Sequence, residues 1–275
     1  MTFTVGLIGC GTIGQEIARA FANGTIDADL ARIYDRNPEK RQAVVDSFEE
    51  RDQPTAVDEI TALSRDVDLV VEAAGQSAVA DVTVPSLEAG CDVLLLSAGA
   101  LADADLRRQI LRAADEQDRI VHVPSGAIAG LDAVKAASLT GDLEAVSLTT
   151  TKNPAGLEGA PYLLENDIDV QDFETATTVF EGPATEAASA FPSNINVAMA
   201  LSLAGIGPDE TTVQIVADPA EENNVHQIEA TGEMGSIETT VRNVPSPTNP
   251  KTSYLAAISA IEKLRGLSAT LRVGT

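Results

Sequence analysis

The stretch Val5-Gly6-Leu7-Ile8-Gly9-Cys10-Gly11-Thr12-Ile13-Gly14 decides the fold of the N-terminal part of this chain. An apolar run leads into G-x-G-x-x-G, and a helix-forming run follows. In this pattern the first glycine allows a tight turn, the second lets the backbone approach a pyrophosphate, and the third lets the helix pack on the strand. The helix N-terminus offers N–H groups and the positive end of its dipole to the phosphates. We therefore predict a dinucleotide site that includes Gly9, Gly11, Thr12, Ile13 and Gly14.

An acidic residue at the end of the second predicted strand fits this site. Asp35 lies 21 positions after Gly14, close to the roughly 20 expected. A carboxylate there accepts hydrogen bonds from the adenosine ribose and excludes a 2′-phosphate, which favours NAD as the cofactor. The adjacent Arg36 could pair with a 2′-phosphate, so NADP stays open as an alternative.

Short apolar runs alternate with helical patterns through the first 125 residues. The predicted strands are Thr4–Ile8, Leu30–Tyr34, Asp68–Ala73, Asp92–Ser97 and Arg119–Val123, and the predicted helices cover 13–23, 38–50, 77–89 and 103–117. Nearly continuous apolar strands separated by helices indicate a doubly wound parallel sheet, the Rossmann arrangement, over 1–125. Ligands bind outside the carboxyl ends of such strands, so we predict that Ala74, Ser97 and Ala98 line the ribose and nicotinamide.

The pattern changes after Pro124, where strands and helices no longer alternate regularly. Helical segments are expected at 130–139 and, capped by Ser193 or Asn194, at Asn194–Gly205; strands are expected at Leu143–Lys152, 211–218 and 225–244, with an acidic loop region over 153–172. This layout predicts an α+β domain with an open sheet over 126–250. A last helix, Thr252–Leu264, lies in the segment 251–275 and is expected to pack back on the first domain.

The charge balance excludes several classes of function. With 42 acidic and 18 basic residues the net charge is −24, which repels the phosphates of nucleic acid. No apolar run reaches the roughly 18 residues of a membrane helix, and no cleavable leader is evident, so we predict a cytoplasmic protein with no membrane partner. No cysteine, histidine and acidic cluster has metal-ligand spacing, so no metal is expected. The acidity and the scarcity of lysine and aromatic residues favour a protein adapted to concentrated salt, a halophilic one, over an ordinary acidic enzyme.

The chain contains two histidines. His122 lies inside a predicted strand and is interpreted as structural. His226 stands at the start of a strand after a polar loop, a position that suits a side chain projecting into a cleft. Histidine titrates near neutral pH, so His226 is the candidate for acid–base chemistry.

Long ordered blocks of the second domain resemble the L-aspartate dehydrogenase family. They are 191–198 (FPSNINVA), 217–228 from Ala-Asp-Pro to Asn-Val-His-Gln-Ile, and 245–255 (PSPTNPKTSYL); 97–101 and 126–128 are also similar. The resemblance spans nearly the whole chain. It implies a C-terminal domain like that of dihydrodipicolinate reductases, a homodimer, and His226 as the histidine at the reacting centre. It also places Ala127 and Asn196 at the dinucleotide.

The resemblance implies reversible oxidation of L-aspartate by NAD(P)⁺ to iminosuccinate, which hydrolyses to oxaloacetate and ammonia or feeds pyridine nucleotide synthesis. A base near pH 7 should hold or remove an amine proton as the C=N bond forms, and His226 fits that role. The two carboxylates of the substrate need cations or N–H donors. Lys251, Thr252 and Ser253 at the expected helix start offer an ammonium, hydroxyls and a helix N-terminus, and Lys152 is a second candidate.

Two other functions stay open at this point. One is a reductase of the same architecture that acts on a cyclic imine or a semialdehyde; a dihydrodipicolinate reductase would show a His-His pair, which Asn224-Val225-His226 does not supply. The other is a non-catalytic dinucleotide sensor, which would need the glycine loop but neither His226 nor the polar block 245–253.

The net charge of −24 generates the first testable prediction. We expect folding and activity to require salt near or above molar, because screening must suppress repulsion among the carboxylates. The measurement is the melting temperature between roughly 0.1 and 2 M KCl, a range that spans strong and weak repulsion. A melting temperature that stays flat over this range would contradict adaptation to salt.

Overall fold

The computed structural model describes residues 3–246 and 249–274, with the backbone alone at 245, 246 and 249–252. The chain divides into two compact units. The first ends at Pro124 and also includes Ala257–Val273, and the second covers Ser125–Ala256.

The first unit is built on a six-stranded parallel sheet in the order β3-β2-β1-β4-β5-β6. Its strands are β1 (Thr4–Ile8), β2 (Asp29–Tyr34), β3 (Thr55–Ala56), β4 (Leu69–Glu72), β5 (Asp92–Leu95) and β6 (Val121–His122). The order reverses beside β1, which creates the crevice where doubly wound sheets bind nucleotides. This confirms the predicted Rossmann class.

Helices connect these strands and cover both faces of the sheet. They are α1 (Thr12–Ala22), α2 (Pro38–Val45), α3 (Gln76–Glu88) and α4 (Ala104–Gln117). Alternate residues of one strand enter different cores: Leu7 packs with Ile17 and Phe21 of α1, while Ile8 packs on the other face with Val70 and Val82. Because both faces are buried, the middle residues of β1, β4 and β5 are apolar or glycine, and this makes the strands recognisable in the sequence.

The second unit contains a five-stranded mixed sheet in the order β11-β10-β7-β9-β8. Its strands are β7 (Leu143–Lys152), β8 (Thr177–Pro183), β9 (Thr212–Ala217), β10 (Asn224–Gly232) and β11 (Gly235–Asn243); β12 (Pro245–Ser246) pairs with β13 (Asn249–Ser253) apart from it. The helices of this unit are α5 (Leu131–Ser138), α6 (Pro161–Glu165), α7 (Ala184–Ala190) and α8 (Asn196–Ala204). The predicted α+β class of the second domain is confirmed.

Three aromatic side chains organise the segment between β7 and α8. Tyr162 of α6, Phe180 of β8 and Phe191 after α7 lie with ring centroids 5.4–5.7 Å apart. Aromatic pairs at such distances contribute packing beyond their buried area. Only nine aromatic residues occur in the chain, so this cluster concentrates a third of them in one core.

The C-terminal helix α9 (Tyr254–Ser268) contributes Ala260 and Leu264 to the core of the first unit. Short 3₁₀ turns occur at Glu50–Asp52, Ile60–Ala62, Ala98–Ala102, Pro154–Gly156, Val170–Asp172 and Pro192–Asn194. No helix of the described ranges is long and apolar enough to span a membrane.

Several sequence-based boundaries are wrong, and each has a local reason. The helix expected from Asn194 begins at Asn196 without a side-chain cap, because Pro192–Asn194 forms a 3₁₀ turn instead. The helix expected from Thr252 begins at Tyr254, because 249–253 pairs as β13. The elements β3, β8, α6 and α7 were not predicted. These are either very short or fixed by contacts distant in sequence.

Candidate active site

The glycine loop between β1 and α1 fits a pyrophosphate by its shape. Gly9 has φ +96°, and a Cβ on Gly9 would overlap the backbone of Ala73. A Cβ on Gly14 would overlap the carbonyl oxygen of Gly9, so α1 approaches the turn more closely than any side chain allows. At Gly11, by contrast, a Cβ would meet nothing within 4 Å, which leaves the backbone open to a ligand. Thr12 and Ile13 form the first turn of α1, whose N-terminal N–H groups can bind an anion.

Asp35, directly after β2, is tied to this loop. Its Oδ2 accepts a hydrogen bond of 2.7 Å from the backbone N–H of Cys10, and its Oδ1 accepts one of 2.8 Å from Asn37. Each carboxylate oxygen can accept more than one hydrogen bond, so both keep capacity for ribose hydroxyls. Arg36 is exposed beside it. Burial and the nearby Asp35 raise the pKa of Cys10 to about 12, which keeps this thiol protonated.

Glu72, the last residue of β4, joins the loops that follow β4 and β5. Its side chain is fully buried. Oε1 accepts hydrogen bonds from the N–H groups of Ala74 at 2.9 Å and Gly75 at 2.8 Å and from Ser97 Oγ at 3.0 Å, while Oε2 accepts one from Ser97 N at 3.0 Å. Burial raises the pKa of Glu72, although its four hydrogen bonds favour the charged form. The predicted cofactor residues Ala74, Ser97 and Ala98 are thus brought to one edge of the sheet.

The second unit carries a buried polar patch on the core-facing side of its sheet. Along β7 and β10 the paired residues are Val146–Ala230, then Leu148–Ile228, then Thr150–His226. The first two pairs belong to the apolar core, whereas the third is polar. Side chains two residues apart share a face, so the same face continues to Lys152 on β7 and Asn224 on β10; Asn224 in turn pairs with Asn243 of β11. We call Thr150, Lys152, Asn224, His226 and Asn243 the polar patch.

His226 lies at the centre of the polar patch. It is 4 % exposed, and its Nδ1 lies 3.0 Å from Thr150 Oγ1. Burial and the positive charge of Lys152 lower the pKa of His226 to about 3. The expectation of a histidine that titrates near pH 7 is therefore wrong for the protein without ligand: His226 is neutral there, with one ring nitrogen able to accept a proton.

Lys152 is the cation of the polar patch. It is 4 % exposed, which is rare for a lysine. A Cβ at Gly156 would lie 3.6 Å from Lys152 Cδ, so the glycine leaves room for the lysine stem. A buried ammonium in a chain of net charge −24 is suited to bind a carboxylate in a poorly solvated site.

Amide groups connect the polar patch to two neighbouring segments. Asn243 Nδ2 donates to the carbonyl oxygen of Ala127 at 2.9 Å and to that of Asn224 at 3.3 Å. Asn224 Nδ2 donates to Ser253 Oγ at 3.4 Å. Two residues singled out from the sequence, Ala127 and Ser253, therefore adjoin the patch that contains Lys152 and His226.

The structure gives less information on the remaining predicted site residues. Asn196 is the first residue of α8 and is exposed. Lys251 and Thr252 lie in β13, not at a helix N-terminus, and their side chains lie outside the described residues. Within the described ranges, no group of three or more His, Cys, Asp or Glu side chains is arranged to hold a metal ion.

Four residues of these arrangements were not predicted from the sequence: Glu72, Thr150, Asn224 and Asn243. Glu72 had a readable signal, since it is an acidic residue at the end of the apolar run Leu69-Val70-Val71. The other three become visible only when the strand register places them on one face beside His226.

Comparison with known families agrees with this geometry in both units. Residues 9–124 match the family described as homoserine dehydrogenase, NAD binding domain, and residues 132–267 match the family described as aspartate dehydrogenase, C-terminal. The chain is 46 % identical to the L-aspartate dehydrogenase of Methanococcoides burtonii over 98 % of this chain and 99 % of that protein. It is 40 % identical to the L-aspartate dehydrogenase of Nitrosopumilus maritimus over the same shares.

Solved structures show the same architecture. The crystal structure of aspartate dehydrogenase from Thermotoga maritima aligns with a TM-score of 0.78 at 28 % identity and covers all of both chains. The myo-inositol dehydrogenase of Lactobacillus casei, solved with NAD(H) and myo-inositol, aligns with a TM-score of 0.60 at 14 % identity over 97 % of this chain and 85 % of that one, a similarity of fold alone.

The position of Asp35 generates a prediction about cofactor choice. We expect NAD to be used at least as well as NADP, and Asp35→Ser to shift the preference toward NADP by roughly 10- to 100-fold, the range of a hydrogen bond to a charged group. The physical reason is that the carboxylate that repels a 2′-phosphate is removed, so Arg36 can pair with that group.

The measurement is kcat/KM for each cofactor in wild type and variant. The readout is the ratio of kcat/KM for NAD to kcat/KM for NADP. The variant also loses the hydrogen bonds from Cys10 and Asn37, and this loss should weaken the binding of both cofactors equally and leave the ratio unchanged. A wild type that strongly prefers NADP, or a ratio that does not move, would show that Asp35 does not face the ribose.

Proposed function

The chain belongs to the L-aspartate dehydrogenase family, and from this premise we propose that it catalyses the reversible oxidation of L-aspartate to iminosuccinate with NAD. The observation that supports this substrate is the polar patch, where a buried cation and a buried neutral histidine lie on one sheet face. A dicarboxylate that bears an amine needs both: a positive charge for a carboxylate and an acceptor for an amine proton.

The glycine loop, Asp35 and the loops joined by Glu72 would hold the cofactor. When bound, NAD supplies the acceptor for the hydride that leaves Cα of aspartate. The loop geometry fits the group, because Gly9 and Gly14 leave no room for side chains while Gly11 leaves its backbone open. Arg36 keeps NADP as an alternative cofactor.

Proton balance assigns a role to His226. At neutral pH aspartate carries an ammonium group, whose nitrogen must lose one proton so that its lone pair can form the C=N bond as hydride departs. We propose that this proton goes to Nε2 of His226. This requires the tautomer in which Nδ1–H donates to Thr150 Oγ1, the atom that lies 3.0 Å away.

Substrate binding itself would strengthen this base. With a pKa of about 3, His226 is a weak proton acceptor in the protein without ligand. The two carboxylates of aspartate bring negative charge, which offsets the field of Lys152 and raises the pKa of His226. The polar patch would thus become basic only when a dicarboxylate is present.

Lys152 is proposed to bind one carboxylate of the substrate. Lys152 is buried on the same sheet face as His226 and its charge acts on that ring, so a carboxylate bound to Lys152 would lie in the region of the nitrogen that accepts the proton. Ser253, which contacts Asn224, is proposed as a further hydrogen-bonding group. Lys251 and Thr252 stay predictions as substrate contacts, and Ala127 and Asn196 stay predictions as cofactor contacts.

The oligomeric state, the cellular location, the adaptation to salt and the use of the product are also proposals. We propose a homodimer in the cytoplasm, adapted to concentrated salt, whose imine product feeds pyridine nucleotide synthesis. The support is the resemblance for the dimer and the pathway, and the charge of −24 for the adaptation to salt. The buried His226 and Lys152 argue against a non-catalytic dinucleotide sensor, because burying these two polar side chains destabilises the fold and a sensor does not require them.

The role of His226 generates a prediction about rate. His226→Ala should lower kcat on L-aspartate by roughly 10²–10⁴, while the Kd for NADH changes little, since the glycine loop and Asp35 lie in the other unit. His226→Asn should restore part of the hydrogen bonding without the basicity. The measurements are kcat, KM for aspartate and Kd for NADH.

The second histidine supplies a matched control. His122 lies in β6 of the first unit, and His122→Asn should leave kcat on aspartate near the wild-type value. If His226→Ala raises KM with kcat nearly unchanged, His226 is a binding residue. Unaltered kinetics would move the search for the base to Lys152 or Lys251.

Lys152→Met generates a prediction about affinity and pH. Methionine keeps an unbranched stem beside Gly156 but removes the charge, so KM for aspartate should rise by roughly 10- to 100-fold. Because Lys152 lowers the pKa of His226, the variant should have a higher pKa there. The acid limb of kcat/KM against pH, which reports the free enzyme, should therefore move to higher pH.

Wild type should show no acid limb from His226 between about pH 5 and 8, since a pKa near 3 leaves the ring neutral throughout this range. The Kd for NADH serves as the control and should not change in Lys152→Met. An acid limb near pH 6.5 in wild type, or an unchanged KM in the variant, would contradict the proposed pairing of Lys152 and His226.

A further inference from the structure

Glu72 is a buried carboxyl group that the proposed reaction does not use. It is fully buried at the end of a strand whose other residues are apolar, and three backbone N–H groups and one hydroxyl converge on it. Gly75, one of its donors, has φ +114° and is the N-cap residue directly before α3. Burial raises the pKa of Glu72, but backbone N–H groups can only donate, so the three that contact it favour the ionised carboxylate. A cationic ring nearby would favour that form further. A buried carboxyl group is costly unless its interactions compensate for lost hydration, so its position at a cofactor edge needs an explanation.

The topology of the first unit indicates which part of the cofactor faces Glu72. The glycine loop follows β1, and Asp35, which fits the adenosine ribose, follows β2 on one side of it. A dinucleotide crosses such a sheet at the point where the strand order reverses, so its other half extends toward β4 and β5. Glu72 is the last residue of β4, and Ser97 follows the carboxyl end of β5 by two residues.

We propose that Glu72 is the positioning residue of the nicotinamide side of the cofactor site, and that its negative charge makes the site favour the oxidised cofactor over the reduced one. The oxidised nicotinamide ring carries a positive charge and the reduced ring carries none. A fixed carboxylate in a poorly solvated region lowers the free energy of the charged ring selectively. The same carboxylate holds the loops at Ala74 and Ser97 in one arrangement through its four hydrogen bonds.

This inference rests on the proposed use of NAD. Binding measurements distinguish a failure of the proposed function from a failure of the charge effect of Glu72. The Kd values of NAD⁺ and NADH are measured by calorimetry on the full chain, without aspartate. In Glu72→Gln, the Kd for NAD⁺ should rise about tenfold more than the Kd for NADH, since one charge–charge interaction is lost. If wild type binds neither dinucleotide, the proposed function and this inference fall together.

Two other variants separate the charge of Glu72 from its hydrogen bonds. Ser97→Ala removes one donor but keeps the carboxylate, so both Kd values should rise together and their ratio should stay at the wild-type value. Thr83→Val is the matched control: Thr83 Oγ1 is buried in α3 of the same unit with no hydrogen-bond partner among the described residues. Its two Kd values should equal those of wild type.

Glu72→Gln places an amide N–H₂ against donors, and it could fail to fold for that reason. In that case Glu72→Met, which is neutral and carries no N–H group, is measured instead. The same change in the ratio of the Kd values for NAD⁺ and NADH is expected. An unchanged ratio of Kd values in the neutral variant would overturn the charge effect. The same change in Ser97→Ala would also overturn it, because loop geometry alone would then account for the preference.

Discussion

The turn from β1 into α1 depends on a close approach of two backbone segments. Gly14 can lie against the carbonyl oxygen of Gly9 only because it has no Cβ, and Gly9 can adopt its positive φ beside Ala73 for the same reason. This approach sets the start of α1 over the end of β1, and with it the direction of the helix dipole. The hydrogen bond from Cys10 to Asp35 then attaches β2 to the same turn. The turn itself is therefore set by backbone contacts, and two carboxylates, Asp35 and Glu72, attach the neighbouring loops to this edge through backbone N–H groups.

The first unit was largely predictable because its strands are buried on both faces and its helices between them are regular. Strand β1 was predicted with its observed bounds, and the other long elements within a few residues. The second unit was harder, since its sheet has one exposed face and its α6–β8–α7 segment folds around Tyr162, Phe180 and Phe191, which are distant in sequence. No local pattern contains such a contact, so propensity alone could not reveal these elements.

The residues of the candidate site also fall into those that the sequence predicts and those that it does not. Residues in a contiguous motif, such as Gly9 to Gly14 and His226 in its block, could be named from the sequence. Residues defined by register could not: Thr150 and Asn243 are unremarkable in isolation and join His226 only through strand pairing. The pKa of His226 was mispredicted because burial and Lys152 act through space. Sequence therefore identified the chemical type of several groups, while the structure determines their ionisation.

The burial of Lys152 separates two kinds of electrostatics in this chain. Dissolved ions screen charges that water reaches, and the acidic exterior belongs to that class. A cation that is 4 % exposed is shielded from counterions by the protein around it, so dissolved salt has little influence on its attraction for an anion. The exterior can therefore gain or lose carboxylates as salinity changes over evolutionary time, while the interior charges that we propose bind the substrate are left as they are. Tolerance of the environment and choice of substrate become independently variable properties of one polypeptide.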